Sequence, residues 1–225
     1  MTSLRAVIFD MDGVLIDSEP LHLRATQAAM GDRGPSFTER DNRAFFGATD
    51  PELFRVLRIL FNLDPPTGEL VDAKRDHLVA LIRTEGRPRP GVPDVPRGLR
   101  EAGLALGLVS ASARPVIRAV LEAVGLAQEF AVVVSGDEVG RGKPAPDGFL
   151  LAARRLGVEA DRCLVVEDSR NGVLAGKAAG MRVTAIPCPA TSHEDFGPAD
   201  LVLPDLEALP KALGLDGRLR EPAPA

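Results

Sequence analysis

The chain has 225 residues, 45% of them apolar and 26% charged, with a formal net charge of −5. Such numbers suit one large domain, or a core with a smaller domain attached, and an ordinary globular interior. They exclude the basic footprint of a nucleic-acid or anionic-membrane binder, and no apolar stretch approaches the length of a transmembrane helix.

Acidic residues interrupt the first apolar run at once, so no signal peptide is expected. The two cysteines, Cys163 and Cys188, share no metal-type or redox spacing. Cys163 abuts an apolar run and reads as a small buried hydrophobe. A reduced, cytoplasmic setting is expected. Only four of the 27 basic residues are lysines: Lys74, Lys143, Lys177 and Lys211.

Leu4 to Phe9 is a short apolar run that reads as a buried parallel strand. It stops at Asp10, and Asp12-Gly13 follows. Residues 19–84 read as helical with no clear strand. Leu21, Ala25, Ala28 and Ala29 fit one face; Leu53, Val56, Leu57 and Leu60 fit a second; His77, Leu78, Leu81 and Ile82 continue a third. The breaker-rich stretch Arg87-Pro88-Arg89-Pro90-Gly91 marks a boundary.

From residue 92 the texture alternates. A helix ends over Leu99 to Ala102, Leu104 to Val109 is a strand, and Pro115 to Val124 a helix. Ala131 to Val134 is a strand, followed by a helix from Pro146 to Leu156 with its proline in the first turn. Leu164 to Val166 is a strand, Asn171 to Ala179 a helix and Arg182 to Ile186 a strand. Leu201 to Leu203 is a last strand before a short helix; residues 216–225 are a tail, of which Glu221-Pro222-Ala223-Pro224-Ala225 reads as disordered. The alternation implies an α/β fold with a parallel sheet covered on both faces.

Ligands in such sheets bind beyond the carboxyl ends of the strands. Four strand ends deliver different polar types there: Asp10 and Asp12; Ser110-Ala111-Ser112; Lys143 within Gly142 to Asp147; and Glu167-Asp168-Ser169. The four carboxylates of Asp10, Asp12, Glu167 and Asp168 would repel unless neutralised, and an oxygen-held Mg²⁺ resolves this. Ser110, its neighbouring N–H groups and Lys143 would face that cation, making a cradle for a phosphoryl group. Asp10 can then attack phosphorus, while Asp12 donates a proton to the leaving oxygen and later takes one from water. Val14 and Leu15 pack the turn.

The run Asp10-Met11-Asp12-Gly13-Val14-Leu15-Ile16-Asp17-Ser18-Glu19, with Ser110, Lys143 and Glu167-Asp168-Ser169-Arg170-Asn171-Gly172-Val173, resembles the haloacid-dehalogenase-like phosphohydrolase superfamily. Within it the chain looks most like the β-phosphoglucomutase and sugar-phosphatase branch. The resemblance implies a Rossmann-like parallel sheet flanked by helices, with an inserted small α-helical cap. The implied core is 1–18 and 85–215, the cap 19–84. It implies Asp10 as nucleophile and Mg²⁺ ligand, and Asp12 as general acid/base that ligates through its backbone carbonyl. Asp168 is the remaining protein ligand, with Glu167 acting through water. Ser110, the Ala111 N–H and Lys143 hold the phosphate. Asp12 disfavours a dehalogenase, which lacks that second acid.

Two cap residues are further candidates. His22 matches a mutase histidine that meets substrate, or is a surface or hinge residue. Lys74 matches a cap lysine that meets sugar phosphates, or lies on a solvated helix face. The resemblance also shows a departure. Where similar mutases carry a phosphate-gripping arginine after the cap glycine, Gly47 is followed by Ala48, Thr49 and Asp50. An acid there repels a second phosphate, which favours a phosphatase for a small phosphorylated metabolite over a β-phosphoglucomutase-type isomerase. A signalling receiver module, phosphorylated by a partner, is the reading from another class. Nothing forces a dimer, and a monomer is expected.

Overall fold

The computed structural model describes residues 3–45 and 48–215; Gly47 and the expected tail, 216–225, lie outside the described residues. Two compact units form, one up to Asp17 and from Arg87 onward, the other Ser18–Gly86. The strands are β1 Ala6–Phe9, β2 Ala105–Val109, β3 Val132–Val134, β4 Cys163–Glu167, β5 Arg182–Ala185 and β6 Leu201–Val202. The second unit holds helices α1 Glu19–Ala29, α2 Glu39–Arg43, α3 Asp50–Leu60 and α4 Thr67–Glu85. The first holds α5 Asp94–Glu101, α6 Arg114–Ala123, α7 Asp147–Leu156, α8 Arg170–Ala178 and α9 Leu209–Ala212.

All six strands lie parallel in one sheet of order β3-β2-β1-β4-β5-β6, so the fold is Rossmann-like α/β. Strands β1 and β4 are buried along their whole length. Their apolar runs, unbroken in β1 and up to Val166 in β4, follow from helices covering both faces of a parallel sheet. Helices α7 and α8 pack on one side around Phe149, Val165 and Val183. Helix α5 packs on β2 and meets α9. Cys163 is fully buried in this core.

Local chemistry sets the helix ends. The Ser169 hydroxyl accepts the Gly172 N–H at 3.1 Å and caps α8, while α7 stops at Gly157, which takes a left-handed φ of 67°. Pro146 occupies the cap position of α7 and not, as its spacing predicts, the first turn. Register matters most for function. Phe9 stands opposite Leu108 on one side and Val166 on the other, so the chain leaves β1, β2 and β4 along one edge.

The helical unit has its own core of Phe37, Phe54, Leu57 and Leu70. Three predicted faces are corrected here. On α3, Val56 and Leu60 are 40% and 67% exposed, while Phe54 is fully buried. Both settings satisfy helical spacing, and the one that buries an aromatic ring removes more apolar area from water. On α1, Ala28 is exposed and Thr26 buried. The Thr26 hydroxyl donates to the His22 carbonyl at 2.9 Å, so it enters the core without an unmet polar group. On α4, His77 is exposed and the buried row is Leu70, Lys74, Leu78 and Ile82, spaced four apart. Among the described residues no helix is long and apolar enough to cross a membrane.

Candidate active site

Asp10 follows β1 directly and its N–H donates to the Val166 carbonyl at 2.9 Å, prolonging the pairing with β4. The chain then doubles back: Gly13 N–H donates to the Ile16 carbonyl at 2.8 Å, and Leu15 N–H to that of Met11 at 2.8 Å. Val14, Leu15 and Ile16 bury their side chains beneath this turn. Gly13 adopts φ 76°, and a Cβ there would lie 1.9 Å from Asp168 Oδ2. Glycine is therefore required twice, for the left-handed backbone and for the carboxylate that rests on it.

At the end of β4, Glu167 is fully buried. Its Oε2 accepts the backbone N–H groups of Asp168 and Ser169 at 3.0 and 3.1 Å, and the Ser169 hydroxyl at 3.0 Å. Its Oε1 accepts from Lys143 Nζ, which also donates to Asp10 Oδ1. The ammonium stands 5.4 Å from the centroid of the Phe149 ring. One oxygen from each of Asp10, Glu167 and Asp168 lies within 4.8 Å of the others. Two of these three buried acids, Asp10 and Glu167, thus share one lysine.

The charge balance follows. Burial pushes the Asp10 carboxyl well above its ordinary range; Lys143 opposes this, while Glu167, Asp168 and Asp12 add to it. Asp168 is raised as well, by burial first and then by Glu167 and Cys188. Burial alone would lower the Lys143 ammonium, but Asp10 and Glu167 more than offset it, so the lysine stays charged. The excess of negative charge is what a divalent cation compensates, and an all-oxygen donor set fits a hard one.

Ser110 and Ala111 follow β2, the neighbour of β1. Ser110 is buried and its Oγ accepts the Ser112 N–H at 3.0 Å, whereas Ala111 is exposed. The Ser112 hydroxyl donates to Asp12 Oδ2 at 3.3 Å. The Asp12 carboxylate stands outside the three-acid group. The core candidates Asp10, Lys143, Glu167 and Asp168 are thus brought together, and Asp12 joins Ser112.

His22 and Lys74 belong to the helical unit. His22 is half-buried on α1. Lys74 is not on a solvated face: its side chain is 6% exposed and pairs with Asp50. Leu70 and Leu78 flank it one turn away on each side, and a charge in that row must take an acid partner.

Three relationships escape sequence reasoning. The Lys143–Glu167 pair, the Ser112–Asp12 bond and a bond from Cys188 Sγ to Asp168 Oδ2 at 3.1 Å all join distant positions. A usable signal exists for Cys188, because it lies just past the carboxyl end of β5, where the other site residues also cluster at strand ends.

The chain is 34% identical to protein CbbY of Cereibacter sphaeroides over 224 residues, covering 95% of this chain and 97% of that protein. It is 34% identical to hexitol phosphatase B of Escherichia coli K12 over 210 residues, 91% and 93% of the two chains. The crystal structure of CbbY from Rhodobacter sphaeroides in complex with phosphate superposes with a TM-score of 0.83 at 30% identity, over 92% and 96% of the chains. The receiver reading falls with these matches, which run through the inserted helices as well as the sheet. Residues 4–180, from the start of β1 to the end of the acid-bearing β4–α8 segment, match the haloacid dehalogenase-like hydrolases, and the chain belongs to that family.

Proposed function

We propose that this chain is a Mg²⁺-dependent phosphatase for a small phosphorylated metabolite of the sugar-phosphate class, working through a phosphoaspartate at Asp10. The observation that carries the reading is the three-acid cluster at the strand ends, two of whose members pair with Lys143. The named activity of hexitol phosphatase B and the phosphate bound by CbbY support the substrate class.

Asp10, Asp168 and the Asp12 backbone carbonyl would hold Mg²⁺, with Glu167 close by. When bound, the cation neutralises the carboxylates and the charge of the transferring group. Ser110, the Ala111 N–H and Lys143 hold the phosphoryl oxygens. A carboxylate oxygen of Asp10 attacks phosphorus as the bond to the leaving oxygen breaks, and Asp12 gives that oxygen its proton. Water then attacks the phosphoaspartate. Asp12 takes the water's proton, the Asp10–phosphorus bond breaks, and inorganic phosphate leaves. The Ser112 hydroxyl orients Asp12 for both transfers.

The isomerase reading is the weaker one. It requires the cap to grip a second phosphate, yet the cap's Lys74 is already neutralised by Asp50. The test is Asp10→Asn, which keeps size and hydrogen bonding but removes the nucleophile. It should abolish Mg²⁺-supported hydrolysis of p-nitrophenyl phosphate and of a sugar-phosphate panel with the fold intact; undiminished turnover would end the proposal.

A further inference from the structure

Cys188 has no place in the chemistry above, yet it touches that chemistry. It lies two residues beyond Ile186, whose N–H donates to the Glu167 carbonyl at 2.7 Å and fixes the segment to the end of β4. The thiol is buried, and Sγ donates to Asp168 Oδ2 at 3.1 Å. Thr191 holds the cysteine in turn. Its hydroxyl accepts the Cys188 N–H at 3.1 Å and lies within donor reach of Cys188 Sγ at 3.4 Å and of the Cys188 carbonyl at 3.5 Å. Thr191 N–H donates to that same carbonyl at 3.1 Å, closing a tight turn.

Oδ2 of Asp168 is therefore confined from two sides, by the thiol and by the bare Cα of Gly13. Oδ1 accepts no hydrogen bond among the described residues. A carboxylate with one oxygen clamped and the other open has a fixed rotation, and fixed rotation is what a cation ligand needs. Groups that orient a metal's ligands change its affinity without touching it.

We propose that Cys188 is a positioning residue for the cation: its thiol, set by Thr191, pins Asp168 Oδ2 so that Oδ1 is presented to Mg²⁺. The inference rests on the reading of Asp10, Glu167 and Asp168 as a Mg²⁺ site. Cys188 itself touches neither substrate nor cation.

The test is calorimetric titration of Mg²⁺ alone into the full chain and into Cys188→Ala and Cys188→Ser, with melting temperatures taken in metal-free buffer. Cys188→Ala should weaken Mg²⁺ binding by about tenfold, the lower end for an orienting partner because a thiol is a weak donor. Cys188→Ser keeps a donor and should return to within about threefold of the parent chain. Metal-free melting of the serine variant should show that it is folded. Equal affinity in all three proteins overturns the inference. So does an equal loss in both variants, since sulfur packing and not the donated hydrogen would then be responsible. A parent chain that binds no Mg²⁺ overturns the site reading itself, a result distinct from the other two.

Discussion

A Cβ placed on Gly172 would lie 1.8 Å from the carboxyl carbon of Glu167. The first turn of α8 is thus laid directly on the acid that anchors Lys143, and only a residue without a side chain permits it. Helix, acid and lysine form one rigid stack.

Gly172→Ala should push Glu167 off Lys143 and cost about 1–3 kcal/mol, the usual range for overpacking a filled site. Activity should fall further than stability, because the displaced group holds the lysine proposed to bind the phosphoryl group. Thermal melting and kcat/KM measured on the same preparation check this. A variant with parental kinetics would show that Glu167 has room to move.

Lys143→Met should lower kcat/KM by about 10²–10³-fold, the scale of losing one donor to a transferring group. It also leaves Asp10 and Glu167 without their shared counter-ion, so the metal-free variant should lose roughly 3 kcal/mol. Mg²⁺ should recover part of that stability but little activity. Denaturant melts with and without Mg²⁺ separate the two effects.

The metal-free wild-type chain should become less stable as pH rises. Asp10 and Asp168 hold their protons more tightly when folded than the ordinary carboxyl value of 3.8 allows, burial being the main cause. Between that value and the raised folded one, the native state binds more protons than the unfolded chain, and stability falls with increasing pH. Saturating Mg²⁺ should flatten the slope. Urea midpoints from pH 4 upward, with chelator or with Mg²⁺, provide the measurement.

Glu138 behaves in the opposite sense. Its Oε1 accepts the Ser135 N–H at 2.9 Å and Arg114 at 2.7 Å, and its Oε2 meets Arg155 at 2.8 Å. The Ser135 bond first, and then the two arginines, overcome burial and hold its pKa at about 2 instead of 4.5. Its contribution is complete above 4.5 and is lost as pH falls toward 2. Glu138→Gln should cost about 1–2 kcal/mol at pH 7, as for hydrogen bonds to a partly solvated charge. The difference from the parent chain should shrink on acidification below pH 4.5.

Asp50→Ala should strand the Lys74 ammonium in the helical unit and cost about 2–3 kcal/mol, somewhat under a fully buried pair since Asp50 remains 38% exposed. Lys74→Met in the same background should recover most of the loss, by matching the stem's volume with an apolar one. A double-mutant cycle on melting data reads the coupling, and strict additivity would contradict the pairing.

The strand ends were legible in the linear chain because each has its own local marker. An apolar run that stops at an acid, a serine or a glutamate shows both where a buried strand finishes and which polar group it delivers. Helical periodicity likewise identified residues 19–84 as helices, but it misjudged faces. Spacing alone cannot choose between Val56 and Phe54, or see that Thr26 finds an acceptor in its own helix. Local patterning along the chain is enough to give the parallel α/β order and the chemical types gathered at one edge of the sheet. The partners emerge from long-range packing alone: Glu167 for Lys143, Ser112 for Asp12, Asp50 for Lys74 and Cys188 for Asp168. The reason is physical. Strand and helix periods are local backbone properties, whereas a buried charge or thiol selects its partner from whatever the packed elements bring within hydrogen-bond reach.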